Sequence, residues 1–155
     1  MSVDPVQRIC HLLDRFQQVA DGLRSRRANR PAIEINDEYD VQFLLGGLLR
    51  LHFDDVEPES WTPSYAGGSA RMDFLLRQEQ TAVEIKYASA SLNDKKLREQ
   101  LIVDCDYYRQ HPACKRLVCF VYDRDGHVQN PRGFEAALTE GRDGMLVTTL
   151  VRPKR

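Results

Sequence analysis

The sequence predicts an α/β protein: helices covering a central mixed β-sheet, in the order α-α-β-β-β-α-β-α-β, with one helix standing in front of the core. Three observations carry this. Apolar residues recur at three- and four-residue spacing over residues 4–24 and 36–52, the period of a one-sided helix. Residues 71–86, RMDFLLRQEQTAVEIK, read as two strands joined by a short turn. The run KRLVCFVYD is continuously apolar over the length of a strand, as a strand buried on both faces must be.

Taken in order, Val6, Ile9, Leu13, Phe16, Ala20 and Leu23 make the apolar face of the first helix. Asp4 and Pro5 suit its N-cap and first turn. In the second, Val41, Leu44, Leu45 and Leu48 form the stripe, and Asn36 or Asp37 is the cap. Gly46 and Gly47 inside it cost roughly 1 kcal/mol each in helix propensity, so close packing against a neighbour is expected there. VEPESW is a short strand and TPSYAGGSA a loop before the hairpin. SLNDKKLREQLIVDCDYYRQHP reads as a long helix with Leu97, Leu101, Cys105 and Tyr108 inward and Pro112 at its end. Asn130 and Pro131 start a further helix through Leu138. GMLVTTLVRP is the last strand.

At 155 residues the chain is read as one domain, 1–155, with a helix and basic segment over 1–30. A net charge of −1 excludes a globally basic nucleic-acid binder. Local patches stay open: Arg24, Arg26, Arg27 and Arg30 cluster, and the chain ends RPKR. Such patches either hold phosphates or are solvated arginines. No apolar run approaches the ~20 residues of a membrane span, and the first residues do not read as a secretory signal. A cytoplasmic protein without membrane contact is expected. Four scattered cysteines, Cys10, Cys105, Cys114 and Cys119, lack any CxxC or zinc spacing and are expected to be free, buried thiols. His11, His52, His111 and His127 are isolated, with no triad partner. YDRDGH lacks the spaced acids of a calcium loop, so Asp125-Gly126 is read as a turn.

The hairpin carries the chemistry. Paired about a centre between Gln78 and Glu79, it sets Leu76 opposite Thr81, Phe74 opposite Val83 and Asp73 opposite Glu84. Alternation then puts Met72, Phe74, Leu76, Val83 and Ile85 on one face, and Asp73, Leu75, Ala82, Glu84 and Lys86 on the other. Opposed like charges only ~5 Å apart are destabilising unless something positive sits between them. Lys86 alone leaves carboxylate lone pairs unsatisfied. A divalent cation answers both acids, since hard oxygens are the ligands that Mg²⁺ and Mn²⁺ prefer. Beside that cation and a phosphate, Lys86 can orient an attacking water and stabilise phosphoryl charge.

This arrangement, Asp73 followed by Glu84-x-Lys86 on a hairpin, resembles the restriction-endonuclease-like superfamily with its PD-(D/E)xK motif. The likeness runs over residues 34–140, and is strongest in DEYDVQFLLGGLL, WTPSYAGGSARMDFLL, EQLIVDCDYYRQHPACKRLVCFVYD and NPRGFEAAL. These look like a nuclease-like domain of bacterial, partly defence-related, proteins. The resemblance implies the αβββαβ core, Asp73 and Glu84 as metal ligands and Lys86 as the catalytic lysine. It implies a further acid from the preceding helix, for which Glu38 is the choice and Asp40 and Glu34 are rivals. It also implies a supporting glutamine, for which Gln100 is the candidate. Met72 stands where the motif has proline, and Tyr87 follows Lys86 where similar sequences carry another lysine.

Mg²⁺ or Mn²⁺ is the implied cofactor, and DNA, preferably double-stranded, the implied substrate. RNA is not distinguished from it. Cutting both strands takes two sites, so a homodimer is considered, with the first helix either its interface or a cover for the sheet. Ser69 and Arg71, in the glycine-containing loop before Asp73, and Lys95 and Lys96, opening the long helix, are the candidate nucleic-acid contacts. Trp61 and Tyr65 are read as packed residues rather than as base-stacking ones. The alternative class is a nuclease fold of weak or no turnover, binding nucleic acid within a larger assembly.

Overall fold

A computed structural model describes residues 3–142 and 144–155. Among them the order is α1 (Pro5–Arg24), α2 (Glu38–Arg50), β1 (Val56–Trp61), β2 (Arg71–Leu76), β3 (Thr81–Tyr87), α3 (Asp94–Tyr108), β4 (Arg116–Tyr122), α4 (Pro131–Ala137), β5 (Glu140–Arg142) and β6 (Met145–Arg152). The run α2-β1-β2-β3-α3-β4 is the expected αβββαβ core, with α1 in front of it. β5 is the element that the sequence did not announce. It is short, carries no apolar alternation, and forms by pairing antiparallel with β6.

The helix starts follow their caps. Asp4 accepts the Val6 N–H at 2.7 Å, Asp37 the Asp40 N–H at 2.8 Å, and Asn130 the Gly133 N–H at 3.1 Å. Each satisfies a donor that the first turn leaves without a helical partner. Asp40 in turn accepts the Asn36 N–H at 3.0 Å. The long helix α3 stops at Tyr108, short of Pro112. Among the described residues no helix is long and apolar enough to cross a membrane.

The sheet runs β1-β2-β3-β4-β6-β5. β3, β4 and β6 are parallel, while β1, β2 and β5 pair antiparallel. α1 and α2 cover one face, burying Phe16, Val41, Leu45, Phe74, Val83, Ile85 and Phe120. The second layer, with α3 and α4, buries Leu75, Ala82, Leu97, Leu101, Leu117, Val121 and Phe134. α1 is therefore a cover for the sheet, and Phe16 meets Phe120 and Tyr122 edge-to-face.

The hairpin has the predicted register, Phe74 opposite Val83 and Leu76 opposite Thr81. One side chain departs from it. Met72 does not share a face with Phe74 but joins Leu75 and Ala82 in the α3 layer. The strand pair is distorted here: Glu59, between the pairs Pro58–Phe74 and Ser60–Met72, has φ +57°. The β2–β3 ladder also ends at Phe74–Val83, one step short of Asp73 and Glu84.

The two glycines of α2 divide. A Cβ on Gly46 would come within 3.1 Å of the buried Phe74 ring and 2.9 Å of Arg50, whereas one on Gly47 would meet nothing within 4 Å. Only Gly46 has the expected packing reason. Gly47→Ala is expected to stabilise the protein by about 0.5–1 kcal/mol through helix propensity alone. Gly46→Ala is expected to destabilise it by about 1 kcal/mol, because overpacking against Phe74 outweighs the same gain. Denaturant midpoints of the two variants decide this, and equal stabilisation by both would refute the packing role of Gly46.

Candidate active site

β2 and β3 separate just where the acids stand, and side chains take over the ladder. Asp73 Oδ2 accepts the Ile85 N–H at 2.7 Å. From the same end of β3, Glu84 and Lys86 point into the α3 layer. Lys86 Nζ lies 3.5 Å from Glu84 Oε1 and 3.0 Å from Asp104 Oδ2. Tyr108, one helical turn on from Asp104, donates its hydroxyl to Glu84 Oε2. Glu84 is buried and Lys86 only 12% exposed, so these charges meet where water screens them little.

The electrostatics follow from that crowding. Glu84 is pushed well above the usual carboxylate range by burial, then by the charges of Asp73 and Asp104, against the pull of Lys86 and Tyr108. Burial also raises Asp73, although the Ile85 N–H and Lys86 favour its charged form. Glu38, half-buried at the start of α2, is raised by burial and by Asp73, and drawn back by Lys86 and the Tyr87 N–H. Lys86 moves the other way from what burial alone would do: Glu84 and Asp104 hold its ammonium charged. Lys86 is thus a fixed cation, suited to facing phosphoryl oxygens or orienting water by donation, not to removing a proton.

Of the residues expected here, Asp73, Glu84, Lys86 and Glu38 converge. The rivals of Glu38 do not, because Asp40 serves the α2 cap and Glu34 is exposed beside Asn36. Gln100 is exposed and its side chain makes no hydrogen bond among the described residues, but it shares with Lys86, Val103 and Asp104 the wall of an open groove. The sequence reading missed Asp104 and Tyr108 as site residues. They fall at helical spacing behind Leu97 and Leu101, so an acid in the sheet-facing stripe of α3 was the available signal.

The side chains proposed for nucleic acid make no ion pair with this cluster among the described residues, although the Tyr108 hydroxyl also lies 3.3 Å from the Arg71 carbonyl. Tyr65 and Gly68 exchange backbone bonds of 2.6 and 3.0 Å, making the glycine segment a tight turn against Tyr107. Ser69 on that turn is exposed. Arg71 lies 3.8 Å from Glu59 and over the Trp61 ring. Lys95 and Lys96 are exposed in the first turn of α3. Trp61 and Tyr65 are 60% and 46% exposed, which corrects the expectation that they are packed. β1 is an edge strand of the sheet, and Trp61 is its last residue. The thiols are free; Cys114 and Cys119 are buried, but Cys10 and Cys105 only partly so.

Among the described residues, no three of His, Cys, Asp and Glu are grouped as a ready metal cage. The donor set is nonetheless of the kind that Mg²⁺ takes. It needs only one or two carboxylates, with water and substrate phosphate completing the shell, and Asp73 and Glu84 are hard oxygen donors beside one another.

No curated protein and no solved structure matches the chain. A family model does: DpnII-MboI, described as REase_DpnII-MboI, matches residues 7–154. The match extends past residues 34–140 to take in α1 and β6. It therefore covers the helix in front of the core, both layers and the converging acids and lysine of β2 and β3. The fold is restriction-endonuclease-like, and the chain belongs to the DpnII-MboI restriction endonuclease family.

Proposed function

We propose that this protein is a Mg²⁺- or Mn²⁺-dependent endonuclease that hydrolyses DNA phosphodiester bonds in restriction or defence. The observation that supports it most is the Lys86 ammonium, held between Glu84 and Asp104 at the place where Asp73 and Glu38 converge. A family of restriction endonucleases points to DNA as the substrate. Asp73 and Glu84 would hold the metal ion, and Glu38, whose carboxyl feels Asp73 and Lys86, would assist. When bound, the ion polarises the phosphate and lowers the pKa of water.

The protein's own groups do the rest. Lys86 presents a permanent charge to the phosphoryl oxygens. Asp104 and Tyr108 fix Lys86 and Glu84 from α3, so neither has to reorganise as charge develops. Gln100, on the groove wall, would reach the substrate rather than the acids. Cutting both strands takes two such sites, and a homodimer is the proposed form.

The test is incubation of supercoiled plasmid with the protein in Mg²⁺, Mn²⁺ or EDTA, beside Lys86→Ala and a structured RNA. Nicked and linear DNA with either metal, and none with EDTA or the variant, is the expected result. Absence of cleavage under both metals would favour a nuclease fold that binds nucleic acid without turnover. Undiminished cleavage by Lys86→Ala would remove this site from the reaction, and equal cutting of RNA would widen the substrate.

A further inference from the structure

We infer that a second site, a cationic cleft between the start of α4 and the end of β6, holds backbone phosphates of the DNA substrate away from the scissile bond; this rests on the nuclease reading. The cleft has a volume of about 610 Å³, and Gln129, Asn130, Arg132, Val151, Lys154 and Arg155 are among its lining residues. Arg132, Lys154 and Arg155 are exposed, and none has an acidic partner in the ion pairs of the described residues. Arg152 and Glu135 also line the cleft and offset one another at 2.9 Å, while Arg152 is held from its other side by Asp14 at 2.6 Å, so this trio adds no positive charge to the cleft. Three cations without an acidic side-chain partner thus share one cleft in a chain whose net charge is −1.

The cleft is built rather than incidental. Asp123 is buried, and its carboxylate accepts the N–H groups of His127 and Val128 at 2.8 and 2.9 Å, shaping the β4–α4 loop. Arg155 donates to the Asp123 carbonyl at 2.9 Å and to that of Arg124. Its guanidinium lies so close to Gly126 that a Cβ there would come within 3.1 Å of it. The arginine is thereby pre-oriented, with the remaining nitrogens of its fork available to an anion.

Its place in the fold connects it to the reaction. In the parallel part of the sheet Lys86 is level with Val121, and Val121 with Val151. Val121 and Val151 lie in the layer of α3, toward which Lys86 also turns. Adjacent strands are ~4.8 Å apart, so the Val151 wall is about 10 Å from the Lys86 backbone, at the same end of the sheet. The Gln129 N–H donates to Asp94 at 2.9 Å, bringing the loop against the start of α3, where Lys95 and Lys96 are. A rise of about 3.4 Å per nucleotide makes 10 Å a span of roughly three steps. Among the described residues no aromatic one lines the cleft, so it offers a phosphate many partners and a base no stacking surface.

The experiment is a salt titration of the binding of a labelled DNA duplex, read by fluorescence anisotropy. Lys86→Ala protein is the parent, which keeps the substrate intact. Adding Arg132→Ala, Lys154→Ala and Arg155→Ala is expected to weaken binding at least tenfold at low salt, and to make the slope of log affinity against log salt shallower by about 2–3. Arg132→Ala with Lys154→Ala alone, which leaves the Arg155 bonds intact, is expected to lower the slope by about 1–2. A charge-matched control at exposed Arg15, Arg77 and Lys115 is expected to leave the slope within about 0.5. In the cleavage-competent protein the cleft variants are expected to raise KM and to leave kcat within about threefold.

Equal slopes for cleft and control variants would overturn the proposal. So would loss of inorganic phosphate binding in the cleft variants with duplex binding unchanged, which would make the cleft a site for free anions. A parent that binds no duplex at any salt overturns it together with the nuclease reading. Protein that never cuts, yet shows the shallower slope, retires the nuclease reading and keeps the cleft.

Discussion

Replacing Glu84 by glutamine is expected to slow cleavage about a thousandfold and, in metal-free protein, to raise the melting temperature. The first effect corresponds to about 4 kcal/mol of lost transition-state stabilisation, since an amide neither carries charge to a cation nor shares the negative field that keeps Lys86 protonated. The second comes from burial. Glu84 is 5% exposed, and its carboxyl is raised by desolvation and by Asp73 and Asp104. An acid raised on folding binds its proton more tightly in the folded than in the unfolded state. Its stabilising contribution is full below the ordinary carboxylate range and is lost as the pH climbs through the folded-state value.

Glutamine removes that loss while keeping an oxygen for the Tyr108 hydroxyl, and Lys86 keeps Asp104. A gain of about 1–2 kcal/mol, some 2–8 °C for a chain of this size, is expected, larger at pH 8 than at pH 5. Mg²⁺ is expected to raise the melting temperature of the wild type more than that of the variant, because only the former keeps both proposed ligands. Thermal unfolding in EDTA and in Mg²⁺ at the two pH values, with plasmid cleavage alongside, gives the answer. A variant that cuts normally, or that melts lower than the wild type at pH 8 in EDTA, contradicts the account of Glu84.

Phe16→Ala is expected to cost about 3–5 kcal/mol, and to lower the melting temperature by roughly 10 °C. Phe16 is fully buried, and its ring centroid is 5.2 Å from that of Phe120 and 5.3 Å from that of Tyr122. α1 is thus part of the core, not an appendage. Gln17 adds to this by accepting the Tyr122 hydroxyl at 2.7 Å. Because α1 covers the face of the sheet away from Lys86, cleavage per folded molecule is expected to change less than threefold below the new melting point. A fall in melting temperature under about 3 °C would mean that α1 can leave the sheet at little cost.

Much of the site was legible because it is local. Asp73, Glu84 and Lys86 lie on adjacent strands, and a short turn with alternating apolar residues fixes which of them share a face. Asp104 and Tyr108 come from a helix, and whether a half-polar helix face meets the sheet depends on how α3 docks. The same limit explains Met72, where a left-handed Glu59 on the neighbouring strand distorts a regular pattern. It also explains Trp61, at the end of the edge strand β1, and Tyr65, in the turn beyond it.

By itself the sequence determined the helices and every strand but β5, their order, and the acid-acid-lysine hairpin. All of these rest on periods of a few residues and on caps and turns formed by chain neighbours. Tertiary structure alone decided that Lys86 is clamped by Asp104, that Gly46 must be small while Gly47 need not be, and that Arg132, Lys154 and Arg155 line one cleft. Those facts depend on distances between residues far apart in the chain, set by how the parallel strands align and which helix covers which face.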